Sequence, residues 1–151
     1  MTEHVANQIL ANMNFNHPKP QVQVLVLGDC DLRDSKYPMT DPDELFGIFK
    51  YFLAEAKKIP NVVVLLCSIL PSIENQQNNE AYFLEFDERL KLLVDSPSEL
   101  IHFSKSFRDS YGQIKRRLYE KDGVHLNSDG TDVMAKQILN YVMRIPKNRF
   151  Q

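Results

Sequence analysis

An aspartate three residues ahead of a histidine can share one tight turn with it, and this chain has that spacing in Asp122-Gly-Val-His125. In such a pair the carboxylate fixes the tautomer and orientation of the imidazole, leaving the second ring nitrogen to take a proton from a hydroxyl or thiol. The pair lies within Tyr119-Glu-Lys-Asp-Gly-Val-His-Leu-Asn-Ser-Asp-Gly130. The stretch reads either as the acid-and-base end of a catalytic triad, which calls for a nucleophile, or as a pair that caps the loop before the last helix or serves binding. Neither thiol, Cys30 within Gly28-Asp29-Cys30-Asp31 nor Cys67, stands in a motif that marks it as that nucleophile. A reactive thiolate needs a lowered pKa, and the flanking Asp29 and Asp31 act in the opposite sense. Cys30 and Cys67 are therefore both expected to be small buried thiols. Ser68 and Ser110 stand in loops with no motif around them and read as ordinary surface residues. His4, His17 and His102 and the two cysteines show no metal-ligand spacing, so neither a metal nor a cofactor is expected.

A second set of side chains is suited to binding. Lys115, Arg116, Arg117 and Lys121 crowd the approach to Asp122, with Tyr111 and Tyr119 interleaved and Lys105, Arg108, Arg144, Lys147 and Arg149 nearby in sequence. Residues 1–100 carry 8 Lys and Arg against 15 Asp and Glu, whereas residues 101–151 carry 10 against 5, so a chain of net charge −2 has a basic C-terminal third. Such a cluster can hold phosphates, which makes Lys115, Arg116, Arg117 and Lys121 candidate nucleic-acid contacts.

The elements that must position these groups are set by composition and periodicity. With 151 residues, 43% hydrophobic and 25% charged, the chain is expected to be a single globular domain over residues 1–151. Its longest purely apolar run, Val62–Cys67, is far short of the roughly 20 residues that span a bilayer. The start Thr-Glu-His-Val-Ala-Asn-Gln after Met1 has neither the basic region nor the apolar run of a secretion signal. The expected location is intracellular, in the cytoplasm or nucleus, with no membrane partner.

Val5, Ile9, Leu10 and Met13 fall at helical spacing, giving a helix over about 3–14. Val22–Leu27 is β-branched and bounded by Pro and Gly, hence a buried strand, and a loop runs from Asp29 to Thr40. Asp41-Pro42-Asp43-Glu44 starts a helix with an N-cap, a first-turn proline and acidic residues that complement the dipole; its apolar stripe ends near Lys58, ahead of Pro60. Val62–Cys67 is a second strand, Pro71–Asn79 a polar loop, Ala81–Val94 a helix, Leu100–Phe103 a short third strand and Gly130–Met143 a closing helix. Strands alternating with helices imply a parallel sheet with right-handed crossovers, an α/β fold built as a three-layer α/β/α sandwich.

This order, with Asp-Gly-Val-His-Leu-Asn-Ser-Asp-Gly between the last strand and last helix, resembles the SGNH/GDSL hydrolase superfamily over about residues 21–142, particularly its compact retroelement form and the related Oskar-type domain. The resemblance implies a flavodoxin-like sheet and, in active members, a Gly-Asp-Ser nucleophile block followed much later by Asp-x-x-His. Two alignments fit. In one, Gly28-Asp29-Cys30 is the nucleophile block with Cys in place of Ser, although the next strand follows too soon for the two intervening strand-helix units. In the other, Gly28-Asp29-Cys30-Asp31 occupies the oxyanion-hole block, and Cys67-Ser-Ile-Leu-Pro71 then follows without insertion or deletion. Under the second, the first strand, the catalytic Ser and the second-block Gly are absent.

The resemblance thus implies a catalytically inactive, N-terminally truncated module used for interaction or assembly, with RNA or a protein as partner. The alternative is an esterase using Cys30 or another nucleophile with Asp122 and His125. It also implies that Val22–Leu27 becomes a sheet edge, where two copies are expected to pair as a homodimer.

Overall fold

A computed structural model of the chain describes residues 7–11, 21–26, 41–78 and 80–150. Three parallel strands, β1 (Gln21–Leu25), β2 (Val62–Cys67) and β3 (Leu100–Ile101), stand side by side in that order. Their register sets Val22 beside Val63, Val24 beside Leu65 and Cys67 beside Ile101. Because side chains alternate across a strand, β2 feeds both faces of the sheet. Val64 and Leu66 enter one apolar cluster, and Leu65 and Cys67 the other. Five of its six residues are buried, as its unbroken aliphatic sequence requires.

On the first face pack α1 (Pro42–Ala56) and α3 (Glu80–Leu90), with Leu45, Phe49 and Phe52 of α1 against Phe83, Phe86 and Leu90 of α3. Phe49 and Phe86 meet edge to face, their ring centroids 5.6 Å apart. Helix α1 starts as its sequence predicts: Asp41 accepts a hydrogen bond from the Asp43 N–H at 2.9 Å, and Pro42 opens the first turn. It stops at Ala56, and the chain enters β2 through Asn61, which takes a left-handed φ of 61° that asparagine tolerates well. On the second face lie α4 (Ser104–Phe107) and α5 (Ser128–Met143), joined through Phe103, Phe107 and Tyr119. The three layers and the parallel sheet are those expected from the sequence.

Three segments differ from expectation. Residues 71–79, read as a polar loop, contain a helix α2 (Ile73–Asn78), started by Ser72, whose hydroxyl accepts from the Asn75 N–H at 3.1 Å. The third strand ends after Ile101, because Phe103 opens the turn into α4. Ser68, expected at the surface, is buried: its hydroxyl accepts the Phe103 N–H at 2.9 Å and its own N–H donates to Ile101 O at 2.8 Å. The helix predicted over 3–14 is described at 7–11, where Ile9 and Leu10 pack on the first core; the whole loop 29–40, with Asp29, Cys30 and Asp31, and Gly28 before it lie outside the described residues.

Candidate active site

The turn that carries Asp122 and His125 is closed on itself before any partner is considered. Tyr119 and Leu126 pair as an antiparallel bridge, the Glu120 N–H donates to His125 O at 2.8 Å, and the Gly123 N–H donates to Glu120 O at 3.0 Å. Gly123 takes φ 70°, and a Cβ there would sit 3.0 Å from Ile73 Cβ, so glycine answers both the backbone and the packing. Asp122 Oδ1 accepts from the N–H groups of Val124 and His125 at 2.9 and 3.0 Å. Its other oxygen, Oδ2, lies 2.5 Å from His125 Nδ1. These three donors, the imidazole first, hold the Asp122 carboxyl down at about 2. A neutral His125 in this pairing carries its proton on Nδ1, so Nε2 offers a lone pair, and the imidazole side chain is 74% exposed. The pair can accept a proton at Nε2 and return it.

Two neighbours fix the height of this turn. The Tyr119 hydroxyl donates to Pro71 O, and the Ile73 N–H donates to Gly123 O at 2.9 Å, which ties the turn to the segment just beyond the C-terminal end of β2. Behind it, Asn127 is the N-cap of α5, accepting from the Gly130 N–H at 3.0 Å while its amide donates to Arg117 O and Tyr119 O. Gly130 is pressed against Leu118, where a Cβ would come within 2.0 Å of the carbonyl oxygen. The Leu-Asn-Ser-Asp-Gly run after His125 therefore seats the first turn of α5 against the dyad turn.

The hydroxyl and thiol on the β2 end are committed elsewhere. Burial pushes the Cys67 thiol up to about 12. Ser68 is held by Phe103, as described, and Ser110 is exposed. Among the described residues, no group of three or more His, Cys, Asp or Glu side chains is placed to hold a metal ion. No described helix is long and apolar enough to cross a membrane.

Of the basic candidates, Arg116, Arg117 and Lys121 are exposed beside the dyad turn, with Arg116 reaching Lys121 O only at 3.5 Å. Lys115 is half-buried, its ammonium donating to Ser106 O at 3.1 Å. Arg108 is drawn inward to Glu80 at 2.5 Å, and Arg144, Lys147 and Arg149 lie past the far end of α5.

One buried group went unnoticed in the sequence. Asp87 sits on the apolar stripe of α3 between Phe83 and Leu90, is buried, and accepts the Ile69 N–H at 2.9 Å. Burial pushes its carboxyl up to about 7, with the Ile69 N–H and the Arg108 charge acting in the opposite direction. Asp87 so anchors the segment leading to Pro71, on which Tyr119 hangs. A lone acid at an i, i+4 position of a buried helical stripe was the available signal.

No protein-family model matches the chain, and no curated protein matches it significantly. The fold does match solved structures. One, from Streptococcus pneumonia and described provisionally as a platelet activating factor, superposes with a TM-score of 0.67 at 20% identity, over 91% of this chain and 67% of that one. Another, a carbohydrate esterase family 3 protein from Talaromyces cellulolyticus, gives 0.69 at 19% identity, over 95% of this chain and 66% of that one. The chain has an SGNH-like fold. It spans about two thirds of the length of each of these structures.

Proposed function

We propose that the chain is an SGNH-hydrolase-like module that keeps a formed acid–base pair but does not turn over esters by itself, and that it serves as a binding or assembly domain whose basic rim takes single-stranded RNA. The observation that carries this reading is the fate of the nucleophilic groups at the strand end. Ser68 is buried with its hydroxyl held by the Phe103 N–H rather than by a base, and Cys67 is a buried thiol held near 12, so neither is placed to supply an alkoxide or thiolate at neutral pH. Cys30 stands between two carboxylates that oppose its ionisation. A base without a nucleophile accelerates little, because the triad acts as a unit. The RNA assignment is supported by Arg116, Arg117 and Lys121, which are exposed around the dyad turn. Replacing all three by Ala should weaken RNA binding and make the log–log salt dependence shallower by about 2, at about 0.7 per phosphate contact on a single strand. Binding unchanged in that variant would end the RNA assignment.

The geometry of Asp122 and His125 favours a second reading, acyl-ester hydrolysis through Cys30. There His125 Nε2 would take the thiol proton, the thiolate would attack the ester carbonyl and the imidazolium would protonate the departing alkoxide, leaving a thioester on Cys30; a water deprotonated by His125 would then cleave that thioester, releasing the acid and restoring the thiol, while Asp122 held the ring. Hydrolysis of an aryl acetate separates the two. Turnover no faster than buffer supports the first reading; turnover lost in both Cys30→Ala and His125→Ala establishes the second.

A further inference from the structure

The end of the sheet away from the dyad holds a cavity that the acid–base chemistry does not use. Helix α5 has 16 residues, so its two ends are about 24 Å apart at 1.5 Å per residue. The dyad turn precedes its first residue. Past its last residue, a cavity of about 260 Å³ opens between the start of β2, the turn before β3 and the chain that follows α5. Val63 and Leu65 form its floor, and Tyr141, Ile145 and Pro146 its walls. The floor is the buried aliphatic face of a parallel strand, continuous with the second core.

Charge in this cavity is uneven. Glu99 is nearly buried, and its carboxylate is already satisfied by the Asp95 N–H at 3.1 Å and by Arg149 at 3.1 Å. The Glu99–Arg149 pair is therefore closed and close to neutral. Arg144, the C-cap of α5, also lines the cavity, is exposed, and makes no side-chain hydrogen bond or ion pair with another described residue. The site thus joins an apolar floor to one uncompensated guanidinium, whose fork geometry suits a carboxylate.

From this we infer that the cavity binds a small amphiphilic carboxylate, its hydrocarbon part on Val63, Leu65 and Ile145 and its carboxylate on Arg144. The size sets the class of ligand. Drug-sized ligands occupy pockets of about 300–1,000 Å³, so the occupant here is smaller, a medium-length acyl chain or a single substituted ring. A cationic ligand would meet Arg144 and Arg149, with Glu99 already engaged. A neutral one would leave the guanidinium unused.

Octanoate titrated into the whole chain, followed by isothermal calorimetry and by side-chain NMR shifts, tests the inference. Saturable binding is expected, with shifts centred on Val63, Tyr141 and Ile145. Octanol should bind at least tenfold more weakly, and Arg144→Gln, an exposed substitution that leaves the core intact, should weaken octanoate by about tenfold or more, equivalent to 1.4 kcal/mol. Any of three outcomes overturns the inference: no saturation at millimolar octanoate, equal affinity for octanol, or an unchanged affinity in Arg144→Gln. The readout involves neither turnover nor RNA, so it stands or falls apart from the proposed function.

Discussion

Asp87 makes the pH dependence of folding a direct test of the core beneath the dyad turn. A carboxyl whose folded pKa is raised from 3.8 to about 7 prefers to be protonated in the native state. The stability linked to it is fully present below the unfolded value and is lost as pH rises through the folded one. About three units at 1.36 kcal/mol each set a ceiling of about 4 kcal/mol on that loss between pH 4 and pH 7. For a domain stable by about 5–15 kcal/mol this is a large share. Asp87→Asn keeps an oxygen to accept the Ile69 N–H and removes the ionisation. Wild type and variant should therefore have similar stability at pH 4, with the variant pulling ahead by up to about 4 kcal/mol at pH 8. Urea unfolding followed by circular dichroism across that range measures the difference and cancels carboxylates such as Asp122, Glu88 and Asp95, whose lowered pKa values tilt stability the other way. A difference between the two proteins that stays flat from pH 4 to pH 8 would refute the argument.

Gly130→Ala should cost about 1–3 kcal/mol in the same unfolding assay, since its new Cβ meets the Leu118 carbonyl and cannot be absorbed by a side-chain movement. In His125→Ala, Asp122 loses the largest of the interactions that lower it, so its carboxyl should titrate closer to 3.8 than to about 2 by carbon-detected NMR; an unmoved value would show that the backbone donors suffice. The stability contributed by Asp122 is present above its unfolded pKa and fades as pH falls toward about 2, a window the same variant should narrow. Strand β1 pairs only with β2 among the described residues, and Val26 beyond it is 45% exposed, so we expect two copies to associate along this edge. Light scattering after size exclusion at tens of micromolar should show twice 17.6 kDa, and a persistent single-chain mass would sink the expectation.

Much of the architecture was legible because a parallel sheet covered on both faces leaves strong marks. Val62–Cys67, short, β-branched and unbroken, reads as a buried strand, and Asp41-Pro42-Asp43-Glu44 carries the N-cap, proline and acidic residues of a helix start. What escaped had no periodic signal. Ile73-Glu-Asn-Gln-Gln-Asn78 is polar almost throughout, and it becomes helical because Ser72 caps it and Gly123 O receives the Ile73 N–H, a contact 50 residues distant in sequence. Ser68 was misjudged for a related reason: a hydroxyl is tolerated in a core when a backbone N–H needs an acceptor, and that N–H belongs to Phe103. The dyad was visible from its spacing alone, since an Asp in this turn finds its donors within three residues. The basic residues were legible as a composition but not as a surface, because burial draws Lys115 and Arg108 inward and α5 carries the last three to the far end.

The self-contained bonding of the dyad turn bears on how such motifs persist. Asp122 is held by two amides and an imidazole all within three residues of itself, and Asn127 and Gly130 are fixed by the packing of α5. Folding alone therefore gives Asp122, Gly123, Asn127 and Gly130 a structural role that does not depend on hydrolysis. A segment held this way can be maintained by folding alone, so its presence in a sequence does not by itself vouch for chemistry.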